Sequence, residues 1–157
     1  LCLLEGTNVS EGRGTTRPFE LFGAPYADSR RLRRELESFE LEGVAFREVA
    51  FRPMFQKHAG ETCYGVQAHV TDREKFDSLA CGYAVVSAFC RRFSEAFAWR
   101  DEEYEFVDDE LAIDLLLGDS DIRRALRAGE NPVELARMAR GDGRSFDARR
   151  GECLLYE

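Results

Sequence analysis

The fold is decided by residues 63–93, which read CYGVQAHVTDREKFDSLACGYAVVSAFCRRF. Apolar and polar side chains alternate over residues 63–71, as in a strand, and the polar face carries Gln67, His69 and Thr71. The spacing changes to that of a helix over residues 77–93, where one apolar stripe comprises Leu79, Tyr83, Val86, Cys90 and Phe93. A strand followed by a long helix predicts a fold that mixes both kinds of element, with the stripe in the core.

Segments on either side of this stretch add further elements. Strands are also expected at Leu1–Leu4, at residues 44–51 (VAFREVAF) and at residues 153–156 (CLLY). Helices are also expected at residues 28–39, at residues 120–128 and from Asn131 onward, where asparagine caps and proline suits the first turn. The sequence therefore predicts the α/β class in its mixed α+β form, with a small sheet flanked by helices in a single domain over residues 1–157.

The charge of the chain restricts its partners. The sequence holds 22 basic and 30 acidic residues, for a formal net charge of −8, and this balance disfavours binding to nucleic acid. The predicted helix at residues 28–39 is nevertheless rich in arginine, and its polar faces are either solvated or, as the less favoured alternative, form a phosphate patch. No apolar run is long enough to span a membrane, and no signal-peptide pattern is visible.

The sequence predicts no metal site. The five cysteines include no C-x-x-C pair, and His58 and His69 do not have the spacing of zinc ligands. Residues 101–114 hold eight acidic side chains and no basic one, but they lack the oxygen spacing of a calcium-binding loop. We therefore expect this acidic stretch to be a solvated face.

The segment with the clearest functional signal is the predicted loop at residues 5–18, within the stretch EGTNVSEGRGTTRPFE. Glycine allows backbone amides to approach a ligand, and the hydroxyl, amide, carboxylate and guanidinium groups suit a polyhydroxylated one. The alternative is a structured surface loop without a ligand. The segment resembles neither a dinucleotide-binding fingerprint, because Arg17 replaces the third glycine, nor a Walker A loop, and the chain has no G-x-S-x-G elbow.

Two carboxylates in this loop, Glu5 and Glu11, suit the chemistry of glycoside hydrolysis. One acid protonates the departing oxygen, while a second group acts as nucleophile or as base toward water. Glu5 directly follows an apolar segment, and partial burial there would suit a general acid. For Glu11 the alternative is a solvated carboxylate or the partner of an arginine.

The loop also carries a family resemblance. LLEGTNVSEGRGTTRPFELFGAP, at residues 3–25, resembles the signature of the DUF1343 family, whose characterised members are exo-β-N-acetylmuramidases of the NamZ type. The similarity continues through residues 43–76, 115–132 and 146–157. The resemblance implies the C-terminal domain of a two-domain, extracytoplasmic protein, whose Rossmann-like N-terminal half is absent here. It implies an active site between the two domains that releases N-acetylmuramic acid from the non-reducing ends of peptidoglycan fragments, without a metal or another cofactor.

The resemblance also implies roles for individual residues. Glu5 is the expected catalytic acid and Glu11 the second catalytic candidate, within a sugar site lined by Asn8, Ser10, Arg13 and Thr15. The guanidinium of Arg13 would meet the lactyl carboxylate of muramic acid. Gln67 and His69 would complete the cleft, although for His69 a structural hydrogen bond to Asp72 is an almost equal alternative. Two further alternatives for the whole chain are a non-catalytic wall-sugar binding module and a structural partner domain.

Overall fold

The computed structural model describes residues 1–141 and 144–155. Three strands form one antiparallel sheet in the order β1-β3-β2, with bounds β1 Leu21–Ala24, β2 Val44–Phe51 and β3 Cys63–Val70. The two strands predicted within this sheet are confirmed, and β1 is an addition, since four residues that include a glycine gave no strand signal. The central strand is β3, which pairs with both neighbours along its length.

A pair of facing glycines brings β1 and β3 close together. Gly23 lies opposite Gly65, and a Cβ built on Gly65 would sit 1.9 Å from the Phe22 carbonyl oxygen. A Cβ on Gly23 would likewise sit 2.3 Å from the Tyr64 carbonyl oxygen. Neither position has room for a side chain, because the obstructing atoms belong to backbone that cannot swing away.

Six helices are described around this sheet. Their bounds are α1 Ser29–Glu37, α2 Ser78–Arg92, α3 Ala112–Leu117, α4 Ser120–Ala128, α5 Pro132–Arg140 and α6 Arg144–Gly151. The helices predicted at residues 28–39, 77–93, 120–128 and from Asn131 are confirmed by α1, α2, α4 and α5. Their capping is local: Gly129 ends α4 at a φ of 84°, and the Asn131 side chain accepts hydrogen bonds at the start of α5.

The core is built around α2, whose residues from Ala80 to Phe89 are all buried. α2 packs against α1, α4 and α5, while α1 also contacts the sheet. The largest fully buried side chains include Tyr83 and Phe89 on α2, and Phe22 on β1 joins them in the same apolar cluster. The mixed α/β architecture is thereby confirmed, and none of the described helices has both the length and the apolar character needed to cross a membrane.

Two predicted strands are wrong. Leu1–Leu4 does not join the sheet, because Cys2–Gly6 forms a 3-10 helix in which the Leu4 N–H donates to the Leu1 carbonyl. Leu4 is buried, and the segment packs on α2 and α3 instead of pairing with a strand. Residues 153–155 do not form a strand either: they follow α6, and the Cys153 N–H donates to the Arg150 carbonyl. The fourth predicted position, residue 156, lies outside the described residues.

Candidate functional site

The glycine-rich loop is held tightly between the sheet and the segment that follows β2. Ser10 pairs with Gly23 through two backbone hydrogen bonds, and the Met54 N–H donates to the Gly14 carbonyl at 2.9 Å. Gly14 has a φ of 81°, and a Cβ there would lie 2.7 Å from the backbone of Phe55. A left-handed backbone and close contact together require glycine at this position, so its role is to fix the loop.

Two of the predicted site carboxylates meet at one arginine. Arg13 Nη2 donates to Glu5 Oε1 at 2.6 Å, and Arg13 Nε lies 3.3 Å from Glu11 Oε1 without the angle of a hydrogen bond. The ring of Phe19 lies 5.2 Å from the guanidinium carbon on another side. The structure therefore brings Glu5, Glu11 and Arg13 together, with Glu11 as an ion-pair partner of the arginine.

Lys57 completes this charged cluster from a distant part of the chain. Its ammonium donates to Glu11 Oε2 at 3.0 Å, to the Leu4 carbonyl at 2.7 Å and to the Val9 carbonyl at 3.2 Å. All three donors of the ammonium are thus used inside the protein. Burial lowers the pKa of Lys57, and the carboxylate of Glu11 opposes that shift.

The two carboxylates differ in their access to solvent. The Glu11 side chain is 3% exposed and has a cation beside each oxygen, whereas the Glu5 side chain is 18% exposed. The hydroxyl of Tyr104 donates to Glu5 Oε2 at 3.1 Å, so Glu5 accepts from Arg13 on one oxygen and from Tyr104 on the other. Burial and the Glu5 carboxylate both raise the pKa of Tyr104. Of the two, Glu5 is the carboxylate that a ligand would reach.

Asn8 ties the loop to the segment that follows α2. Its amide nitrogen donates to the Ala96 carbonyl at 2.8 Å, and its amide oxygen accepts from the Tyr26 hydroxyl and from the Ala98 N–H. Burial raises the pKa of Tyr26, which keeps that hydroxyl protonated as a donor. The amide of Asn8 is therefore occupied by structural partners on both of its polar atoms.

The other two small polar residues of the predicted site also bond within the loop. The Ser10 hydroxyl accepts from the Gly12 N–H, and Ser10 is buried. The Thr15 hydroxyl donates to the Gly12 carbonyl at 2.6 Å and accepts from the Arg17 N–H. These bonds explain how a segment so rich in glycine keeps one shape.

A surface cavity of about 430 Å³ opens beside the charged cluster. Its lining includes Asn8, Lys57, His58, Trp99 and Arg100. The His58 ring places Nε2 2.8 Å from the Asn8 carbonyl oxygen, which adds another tie between the loop and the segment after β2. The cavity offers aromatic and amide surface next to the loop, with charges of both signs because Asp101 and Glu102 line it as well as Arg100, and this combination suits a polar sugar.

Gln67 and His69 are not joined to the charged cluster by any hydrogen bond described for them. Gln67 is buried, and its amide accepts from Arg47 at 2.7 Å and donates to Glu20 at 3.1 Å. His69 is exposed on β3 opposite Ala45, and the carboxylate of Asp72 accepts from the Glu74 N–H. None of the hydrogen bonds described for Gln67 reaches Glu5, Arg13 or Glu11, so its place in a sugar site stays a prediction, as does that of His69.

Sequence reasoning missed Lys57 and Tyr104. Lys57 is one of only two lysines among 22 basic residues, but Lys75 is equally scarce and is exposed, so the sequence carries no signal that singles out Lys57. Tyr104 lies inside the acidic stretch at residues 101–114. The acidic side chains on either side of Tyr104, at residues 101–110, are exposed, as expected. Across the described part of the chain, no group of three or more histidine, cysteine or acidic side chains is arranged to hold a metal ion.

The sequence of this chain is similar to that of known proteins over almost its whole length. The family described as "Exo-beta-N-acetylmuramidase NamZ, C-terminal" matches residues 1–156. The peptidoglycan beta-N-acetylmuramidase NamZ of Bacillus subtilis (strain 168) is 38% identical over 154 residues, which are 98% of this chain and 35% of that protein. The chain thus spans about a third of the length of this curated relative.

Solved structures show the same fold. A DUF1343 family protein from Bacteroides fragilis NCTC 9343 has a TM-score of 0.78 at 24% identity, over 99% of this chain and 40% of that one. A second DUF1343 family protein from the same organism has a TM-score of 0.62 at 24% identity, over 99% and 38% of the two chains. The resemblance found in the sequence is confirmed, and the chain belongs to the DUF1343 family, as its NamZ-type C-terminal domain.

Proposed function

We propose that the protein carrying this chain is an exo-β-N-acetylmuramidase, a peptidoglycan glycosidase that releases N-acetylmuramic acid from the non-reducing ends of glycan fragments. Membership of the NamZ family supports this activity. The observation that carries the proposal is the state of Glu5, a partly exposed carboxylate fixed by Arg13 and Tyr104 at the edge of a rigid loop. Such a carboxylate is one of the two groups that glycoside hydrolysis needs.

Glu5 is the proposed catalytic residue of this chain. Both of its oxygens accept hydrogen bonds, from Arg13 and from Tyr104, and this arrangement suits a nucleophile or a base toward water. Protonating the departing oxygen, the role that the resemblance implies, would require the contact with Arg13 to open when substrate binds. A general acid matters only when the leaving group must be protonated, whereas a nucleophile or base is needed with any leaving group. Substrates with different leaving groups therefore distinguish the two roles of Glu5.

Glu11 and Arg13 are proposed to prepare the site. Glu11 stays the second catalytic candidate, but its burial and its two cationic neighbours favour a role in positioning Arg13 and Lys57. The Arg13 side chain is 39% exposed and has donors beyond the one used on Glu5, so it is able to bind a second carboxylate. The lactyl carboxylate of muramic acid is the proposed partner, with the sugar seated in the cavity near Asn8 and Lys57.

The remaining groups are proposed to come from outside this chain. Since the chain offers one accessible carboxylate in the loop, the second catalytic group would come from the rest of the protein, which the family resemblance describes as a Rossmann-like N-terminal domain. Peptidoglycan fragments as substrate agree with an extracytoplasmic location, which we also propose. The backbone and side chains of Ser10 and Thr15 would shape the loop rather than grip the sugar directly.

The test uses the full-length protein with Glu5→Gln and two substrates. One is a muramide with a nitrophenyl leaving group, which departs without protonation, and the other is a muropeptide-derived disaccharide. If Glu5 is nucleophile or base, the variant loses activity on both by about 10²–10⁴-fold; if it is the acid, the nitrophenyl substrate is spared. Unchanged turnover of both substrates would remove Glu5 from the mechanism.

A non-catalytic role is the second candidate, as a wall-sugar binding module or a structural partner domain. The observation that favours it is the full engagement of Glu11, which leaves the loop with a single carboxylate free to act. Calorimetry on the Glu5→Gln protein separates the possibilities. Binding of muramic acid that depends on Arg13, with no turnover in wild type, supports the binding module, whereas a structural partner domain shows neither.

A further inference from the structure

A second charged surface lies on the other side of Tyr26, where α1 meets the end of α2. It comprises five arginines, which we call the basic furrow: Arg30, Arg31, Arg34, Arg91 and Arg92. Three acidic residues line the same surface, Asp28, Glu35 and Glu95. The excess of positive charge is unexpected in a chain with a net charge of −8.

The furrow has depth. One cavity of about 410 Å³ and a second of about 360 Å³ adjoin each other and share Arg31 and Arg92. The guanidinium of Arg31 lies over the ring of Phe93, 5.8 Å from its centre, and no carboxylate pairs with it in the described structure. The two cavities therefore adjoin each other at Arg31 and Arg92, and we call the pair the trough.

Glu35 builds the wall of this trough. It is 3% exposed and pairs with both Arg91 and Arg92, so two guanidinium groups from α2 are held by one carboxylate from α1. The ring of Phe39 supports Arg91 from its other side, 5.9 Å away. Each guanidinium has five N–H donors, and Glu35 leaves most of those on Arg91 and Arg92 free.

The guanidinium groups of Arg30 and Arg34 make no hydrogen bond or ion pair with any residue that the structure describes, although both line the first cavity. They are exposed and four residues apart on α1, where like charges repel each other. Arg30 and Arg31 also lie in the first turn of α1, where the helix dipole disfavours positive charge. The arrangement is therefore unfavourable for the free protein and becomes favourable when an anion is present.

We propose that the basic furrow binds a flexible polymer that carries repeated oxyanions. Arginine forks match phosphate or carboxylate oxygens, and Arg30 and Arg34 stand one helical turn apart, about 6 Å along the axis, so one ligand that carries several anions can reach both. A concave surface that extends over two cavities fits a polymer better than a planar bilayer. No large exposed apolar side chain described for this chain lines it, which argues against membrane insertion.

The experiment measures binding of the full-length protein to two probes, linear inorganic polyphosphate and poly-L-glutamate, by fluorescence anisotropy. The test variant is Arg30→Gln/Arg34→Gln, and the control is Arg73→Gln/Arg149→Gln, which removes the same charge from exposed arginines elsewhere. Thermal unfolding of both variants establishes that they are folded. We expect the test variant to bind the preferred polymer at least about 10-fold more weakly, and its log–log salt slope to fall by about 1.4.

Each outcome decides the proposal. Loss of affinity in the test variant alone supports it, and the polymer affected identifies phosphate or carboxylate as the anion. Equal weakening by the control variant indicates attraction by overall charge and overturns it. The proposal is also overturned if inorganic phosphate binds as tightly as polyphosphate. It is overturned as well if the test variant loses affinity for anionic lipid vesicles but not for either polymer. This result is independent of Glu5, because the furrow contains no residue of the proposed catalytic site.

Discussion

Replacing Lys57 by methionine tests how the charged cluster holds the loop. Methionine has nearly the same length but no charge and no donor, so Glu11 would keep only Arg13 as a cationic neighbour. The carbonyls of Leu4 and Val9 would lose their bonds to the ammonium as well. Since Glu11 is 3% exposed, water cannot easily replace the lost partner.

The magnitude follows from two opposing effects. Removing one member of a buried ion pair costs about 3–5 kcal/mol, because the remaining charge is left uncompensated. Burial lowers the pKa of Lys57, however, so the folded protein also bears a cost for keeping that ammonium charged, and the substitution removes it. The lower end of the range, about 3 kcal/mol, is therefore expected, which corresponds to a fall of about 6–12 °C in the unfolding temperature of a domain this size.

The assay is thermal unfolding of the full-length protein, with hydrogen exchange at α2 to identify the transition of this domain. Lys75→Met is the matched control, because Lys75 is the only other lysine and is exposed. A Lys57→Met protein within about 0.5 kcal/mol of the control would refute the reasoning. So would additivity with Glu11→Gln, since two groups in direct contact should show a coupling of about 2 kcal/mol.

Two further predictions concern the sheet and the cysteines. Gly65→Ala should destabilise the protein by at least about 3 kcal/mol in a denaturant titration, because a Cβ would lie 1.9 Å from the Phe22 carbonyl oxygen. Gly151→Ala is the control and should not change the stability, because nothing lies within 4 Å of its Cβ position. Equal stability of the two variants would contradict the close approach of β1 and β3. Burial raises the pKa of Cys90 to about 12. At pH 8 its thiol should therefore react with iodoacetamide at least about 100-fold more slowly than the thiol of the exposed Cys153. Equal labelling of the two cysteines in peptide mapping would show the burial of Cys90 to be incorrect.

Local signals made most of the helices predictable. α4 ends at Gly129 and α5 begins at Asn131, and both boundaries depend on residues next to each other in sequence. The apolar stripe of α2 is long enough for its period to be unambiguous. The strand predicted at Leu1–Leu4 was wrong for the opposite reason. Four apolar residues fit a strand or a helical turn equally well, and packing against α3 favours the helical turn.

The site was predictable in its residue types but not in its connections. Glu5, Glu11 and Arg13 are close in sequence, and the structure does bring them together. Lys57 is 46 residues from Glu11, and Tyr104 is 99 residues from Glu5, so no spacing in the sequence announces those contacts. Both depend on how the segments after β2 and α2 fold back over the loop.

In the structure, the small polar residues of the loop bond to the protein instead of facing a ligand. Hydroxyls and amides in a glycine-rich segment suggest ligand contacts, yet Asn8, Ser10 and Thr15 direct their polar atoms to the protein itself. The ordering of these side chains is completed during folding, so a substrate would not have to bear that entropic cost when it binds. The chemistry of the loop is thereby concentrated on Glu5 and on the free donors of Arg13, the two groups that combine a fixed position with access to solvent.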